Sequence, residues 1–152
     1  MTTIKKKTTR PLLLLALGVL CLSTSAHARN DILHMPLGDA LRSPDAMARL
    51  NPRIRLYFGT QKYGTPAQRF GIYKANKKTN FFNKSDKEGC EWVFLAAALS
   101  LQERAQQLGG NAVVNIVSIY QNIEFSSETE YECGAGNVAG GVALRGEVVT
   151  LK

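Results

Sequence analysis

The sequence predicts an α+β fold: a small sheet of three to five mostly antiparallel strands, with one long helix at about residues 88–108 packed on one face. Three observations predict it. Residues 90–120 (CEWVFLAAALSLQERAQQLGGNAVVNIVSIY) pass from an apolar helical pattern through a Gly-Gly turn into a β-branched run. Residues 53–59 (RIRLYFG) alternate apolar and polar, and residues 142–151 (VALRGEVVTL) form a closing apolar strand. Short strands separated by glycine-rich or polar connections, with a single long helix, define this class.

The helix carries the strongest local signals. Ser85-Asp86-Lys87-Glu88 reads as a capping box. Cys90, Phe94, Ala97, Leu101, Ala105 and Leu108 recur at spacings of three and four and share one face. Gly109 supplies the left-handed residue that ends many helices. Only Gly110 and Asn111 then separate the helix from the strand that begins at Ala112, so the two must pack together.

The first 28 residues have the pattern of a secretory signal. Lys5, Lys6, Lys7 and Arg10 form a basic start, residues 11–22 are an apolar run, and Ala26-His27-Ala28 is a small-x-small cleavage sequence. A bilayer span needs roughly 20 apolar residues, more than this run offers. The residue before Cys21 is Leu20, too bulky for lipoprotein processing. The expected product is a periplasmic or secreted domain of residues 29–152, with no stable membrane anchor. It carries 15 basic and 12 acidic residues, a net charge of +3. Without Cys21 it holds one cysteine pair, Cys90 and Cys133. In an oxidising compartment an even pair reads as a disulfide, here closing 43 residues. The alternative is a thiolate metal site, for which His34 is the only histidine beyond residue 28 and no CxxC exists.

Along this domain, residues 31–41 suggest a short strand that Pro36 confines to an edge or a bulge. His34 reads as a partly exposed strand residue. Residues 43–50 suggest a short helix capped by Ser43, with Pro44 at its first position. Residues 60–87 have no sustained period: Gly64, Pro66, Gly71, Asn76, Asn80 and Asn83 interrupt it. A long loop is expected there, with at most a short strand at 69–74. Residues 125–133 read either as a strand with an acidic outer face or as an extended loop. The glycines at 134, 136, 140 and 141 suggest flexible or bulged backbone, and Gly146 a bulge or a helix contact.

Charge divides about the helix. Residues 29–87 carry a net +8 and residues 88–152 a net −5. Lys74, Lys77, Lys78 and Lys84, interleaved with Phe81 and Phe82, form a candidate surface for an anionic partner. The competing reading is a solvated loop whose lysines face the acidic segment 124–132. Nucleic acid is not an expected partner of a periplasmic protein with so small a net charge.

The segments 103–118 (ERAQQLGGNAVVNIVS) and 139–149 (AGGVALRGEVV) resemble a small-domain family labelled heavy-metal-binding. They are also similar to the Rcs-pathway outer-membrane stress-sensor lipoprotein. Residues 108–114 (LGGNAVV) are the specific part, and about residues 90–151 are covered. The resemblance implies an α+β domain tied by disulfide at Cys90. The chain departs from the sensor in lacking a lipobox and in having one cysteine pair rather than two. Residues 29–152 as a whole look like proteobacterial secreted proteins that carry an excinuclease ATPase-subunit label. The motifs argue against that activity: there is no Gly-rich loop ending Gly-Lys-Ser/Thr, no Gly-x-Ser-x-Gly and no His-Glu-x-x-His. Two functions follow as expectations. The first is a non-enzymatic envelope protein in a binding or stress-related role, its partner another envelope protein or an anionic envelope component. The second is a ligand- or metal-binding module, with oligomerisation left open. No catalytic residue, cofactor site or metal ligand is assigned.

Overall fold

The computed structural model describes residues 29–152. The expected signal peptide and its Cys21 lie outside the described residues. In chain order the elements are β1 (Asn30–Pro36), α1 (Leu37–Arg42), α2 (Pro44–Arg49), β2 (Arg55–Phe58), β3 (Pro66–Asn80), α3 (Asp86–Leu108), β4 (Ala112–Ser118), β5 (Glu130–Gly136) and β6 (Ala139–Leu151). The α+β class holds, with α3 as the dominant helix, and the sheet has six strands where three to five were expected.

Strand β6 is the hub. One edge pairs antiparallel with β3 from Ala139 to Leu151. The other edge is shared: β5 takes Gly140 and Gly141, and β4 takes Leu144 to Val149. Strand β1 then adds antiparallel to β5, and β2 adds parallel to β4. Because β3 and β4 are both antiparallel to β6 on opposite edges, they run parallel to each other. Helix α3 connects them, a βαβ unit with β6 inserted between its strands.

Local chemistry accounts for the helix limits. The Ser85 hydroxyl accepts from the Glu88 backbone N–H at 3.2 Å, and Asp86 and Glu88 favour the positive end of the helix dipole. Gly109 closes the helix at φ 79°, donating its N–H to the last carbonyls. The predicted face is buried from Cys90 to Ala105, with Val93 and Ala98 beside it. Burying side chains such as Val93, Phe94 and Leu101 contributes about 1.5–3 kcal/mol each. Gln102 is also buried, and its amide is fully used. Its Oε1 accepts from Asn51 N–H at 2.9 Å, and its Nε2 donates to the carbonyls of Asn51 and Ile54. This one side chain ties the α2–β2 connection to α3.

Several shorter elements form where the sequence suggests. Pro36 ends β1, which pairs only with β5 and is an edge strand; residues 37–41, expected to continue that strand, instead belong to the helix α1. Ser43 caps α2, accepting from Ala46 N–H at 3.2 Å. In β2, Phe58 turns inward and Arg55 outward, and Ile54 is buried just before the strand. The bulge suggested at Gly146 lies across from it instead: Asn115 and Ile116 of β4 oppose this single glycine, with Asn115 at φ 52°.

Two expectations are corrected. Residues 60–87 are not a long loop, because β3 alone takes up 15 of them. Its alternation is hidden by a register shift between Arg69 and Gly71 and by inward positions filled with Tyr73, Ala75, Lys77 and Thr79. Pairing with β6, a non-local term, makes it a strand. The glycines of 134–141 are not loose backbone either. They belong to the β5–β6 hairpin, where Gly134, Gly140 and Gly141 are buried. A Cβ on Gly140 would run into the Phe81 ring, and one on Gly134 would overlap Tyr120. The rings occupy the space that side chains would have taken.

Candidate functional site

The lysines fall on two faces and a turn. Once past the register shift, β3 points Ile72, Lys74, Asn76 and Lys78 away from α3, all of them exposed. Lys77 lies on the opposite, helix-facing side and is half-buried. Lys84 follows in the turn to α3, where its Nζ donates to the Asn80 carbonyl at 3.1 Å. The structure therefore brings Lys74 and Lys78 together, about 13 Å apart along one face at strand spacing, and separates Lys77 and Lys84 from them.

None of these four lysines makes an ion pair among the described residues. Lys87 does, with Asp39 at 3.3 Å and Glu91 at 3.5 Å, and these carboxylates raise its pKa. The four lysines make no ion pair with the acidic segment 124–132 among the described residues, where Glu124 and Glu128 have other partners. Glu124 pairs with Arg145 at 2.5 Å, and Glu128 accepts from the Thr60 hydroxyl. Glu132 is buried opposite His34 on β1, and that burial raises its pKa against the lowering effect of the His34 charge. On the lysine face itself, Lys74 is the direct cross-strand neighbour of Arg145, so like charges stand side by side.

The cysteines meet as expected. Cys90 and Cys133 form a disulfide with Cα atoms 5.9 Å apart, and both are fully buried. It joins the first turn of α3 to the centre of β5. Nearby, Tyr131 packs on Phe94 at 4.4 Å between ring centroids, and its hydroxyl is buried without a hydrogen-bond partner among the described residues. Burial raises its pKa, helped by Glu91 and Asp39. At the start of the described chain, Arg29 holds Asp86 through two hydrogen bonds, the Nη1–Oδ1 one at 3.0 Å.

Two concavities flank α3. A groove of about 480 Å³ lies between α2 and the first turns of α3, with Pro44, Trp92 and Leu95 as its apolar wall and Lys84, Asp45 and Glu88 at its rim. Trp92 is 45% exposed and carries Arg49 over its ring at 5.3 Å. Sequence reasoning passed over this groove. Its one signal was a lone tryptophan two residues from Cys90, well off the buried helical face. A second cleft of about 200 Å³ lies between Tyr73 of β3 and residues Ser100 to Gln107 of α3, with Arg104 stacked over Tyr73 at 5.2 Å. No group of three or more His, Cys, Asp or Glu side chains arranged to hold a metal occurs among the described residues. No helix among them is long and apolar enough to cross a membrane.

Comparison with protein families, with curated proteins and with solved structures gives no match.

Proposed function

We propose that this chain is a non-enzymatic, disulfide-tied periplasmic or secreted protein that binds an anionic component of the cell envelope through the lysine face of β3. The observation that carries this reading is the pair Lys74 and Lys78. They are exposed on one face of a long edge strand, free of acidic partners among the described residues, and one of them sits beside a further cation. That cation, Arg145, is already paired with Glu124, so Lys74 and Lys78 are the charges left for an anionic partner. The disulfide supports the compartment, since such bonds persist where the surroundings oxidise. Sedimentation with vesicles containing anionic lipid tests the reading. Replacing Lys74 and Lys78 by Gln is expected to weaken association about thirtyfold at low salt, at about 1 kcal/mol per lysine. Equal binding of variant and parent would remove the lysine face from the function.

The groove beside Trp92 supports a second reading, a ligand-binding module. Trp92 is the only tryptophan of the chain, so intrinsic fluorescence reports on this groove alone. A saturable spectral shift on titration with a small amphiphile is expected if the groove is the working site. Metal analysis and native mass of the purified protein test the metal-binding and oligomeric forms of that reading.

A further inference from the structure

Three strands have an edge that no other strand covers among the described residues: β1, β2 and β3. Strand β1 has seven residues and ends in a proline, and β2 has four. Natural sheets blunt their edges in these ways. Strand β3 is different. It runs for 15 residues with β6 on one side only, so alternate N–H and C=O groups along its other side point outward as a template for a further strand.

What surrounds that edge selects the strand that would fill it. Resting on the anion-binding reading above, we propose that the partner is an extended acidic polypeptide segment that adds antiparallel to the free edge of β3. Three observations carry this. On the outer face Lys74 and Lys78 stand exposed and without acidic partners, with Ile72 beside them at 66% exposure. On the inner face a cleft lined by Tyr73, Lys74, Ser100, Glu103 and Arg104 lies between β3 and α3 and can receive an inward side chain of an added strand. Strand addition draws its affinity from main-chain hydrogen bonds and its specificity from such alternate side-chain sites. Third, the lysines disfavour a second copy of this chain in the register centred on β3. Two β3 strands paired antiparallel about Asn76 would set Lys74 against Lys78 twice, and like charges directly opposite each other repel.

The register defines the complementary segment. Running antiparallel, it places acidic residues opposite Lys78, Lys77 and Lys74, a small residue opposite Tyr73 to enter the cleft, and an apolar residue opposite Ile72.

The test uses the disulfide-intact protein and a labelled nine-residue peptide. Glutamates stand at its third, fourth and seventh positions, alanine at the eighth, valine at the ninth, and threonine elsewhere. Fluorescence anisotropy is expected to show saturable binding that weakens with salt. Methylating peptide backbone nitrogens at every second position should separate two classes. In the class facing β3 each methyl removes one hydrogen bond and weakens binding about fivefold; the other class changes it little. Replacing Lys74 and Lys78 by Gln should weaken binding of the parent peptide by roughly two- to thirtyfold. Lysine-dependent binding that ignores backbone methylation would overturn strand addition and leave a purely electrostatic surface. Lysine-dependent binding to anionic vesicles without peptide binding would overturn it in favour of a lipid. Loss of neither peptide nor vesicle binding in the lysine variant would overturn both this inference and the reading on which it rests.

Discussion

Strands β3 and β5 lie on opposite edges of β6, and they use that position in opposite ways. From Tyr131 to Ala135 every residue of β5 is buried, one face under α3 and the other under Tyr120. Along β3 only Ala75 is fully buried, and the side facing away from α3 is open from Ile72 to Asn80. Strand β5 is also covalently fixed to the helix through Cys133, whereas β3 is held by its ladder with β6 and by contact with α3. Both pair antiparallel with β6, but β3 does so along nearly its whole length with its other edge free, while β5 does so only at Gly134 and Ala135 and has β1 on its other edge. One side of β6 is committed to the core, and the other is left available.

The disulfide gives the largest handle on this contrast. Cys133→Ser is expected to lower stability by on the order of 4 kcal/mol, the chain-entropy value for a loop of this length. For a domain of this size that corresponds to a fall of roughly 10–20 °C in melting temperature. Thermal unfolding followed by circular dichroism, with and without reductant, checks it. A parent protein whose melting point is unmoved by full reduction would place the anchoring of β5 elsewhere.

Glycine packing comes next. Phe81 is wedged between Gly89 of α3 and Gly140 of β6, with both hypothetical Cβ atoms under 3.0 Å from its ring. Gly140→Ala is therefore expected to cost about 1–3 kcal/mol through overpacking. On β3, Asn76→Ala, an exposed change, should stay within about 0.5 kcal/mol. Equal costs from chemical denaturation would erase the distinction between the packed glycine positions and the open face of β3.

These contrasts also mark what the sequence makes legible. The helix limits were readable because Ser85 and Gly109 act on their own neighbours, and the burial of Cys90 and Phe94 follows from helical spacing alone. The disulfide was readable because only one cysteine pair remains once residues 1–28 are set aside. Strand β3 was not, since its inward positions hold Tyr73, Ala75 and Lys77, and its partner lies some seventy residues away in sequence. The glycines at 134 and 140 misled for a related reason. A missing side chain looks like looseness until the ring that fills its place, Tyr120 or Phe81, is seen. The candidate site was half legible: the lysines were found in sequence, and only the fold could divide them between two faces.

A smaller effect concerns Glu132, which belongs to β5 yet is ionisable. Burial holds its pKa above the ordinary value of 4.5, with the charge of His34 opposing. A carboxyl with a raised folded-state pKa contributes stability that is fully present below the unfolded value and is lost as pH rises through the folded value. Glu132→Gln is accordingly expected to stabilise the protein by about 1 kcal/mol at pH 7. The difference from the parent should shrink toward zero below about pH 4, where the glutamate is protonated in both states. Melting curves across that range check it; a gap that widens at acidic pH would mean that Glu132 is stabilised as a carboxylate.

The smallest expected stability effect is at Lys74, and it separates edge chemistry from folding. Lys74 faces Arg145 across the β3–β6 ladder, and Arg145 is already engaged by Glu124. The remaining repulsion is partly neutralised and screened by solvent, so removing it is worth only a few tenths of a kcal/mol. Lys74→Gln is thus expected to leave stability unchanged or raise it by up to about 0.5 kcal/mol, while binding to anionic vesicles falls. A residue kept for packing would show the reverse order, with stability lost first and binding following it. Denaturation midpoint and vesicle binding measured on the same preparation decide between the two. A loss of more than about 1 kcal/mol would count Lys74 among the residues that hold β3 in place; unchanged stability with weakened binding leaves the edge of β3 as a surface directed at something outside the chain.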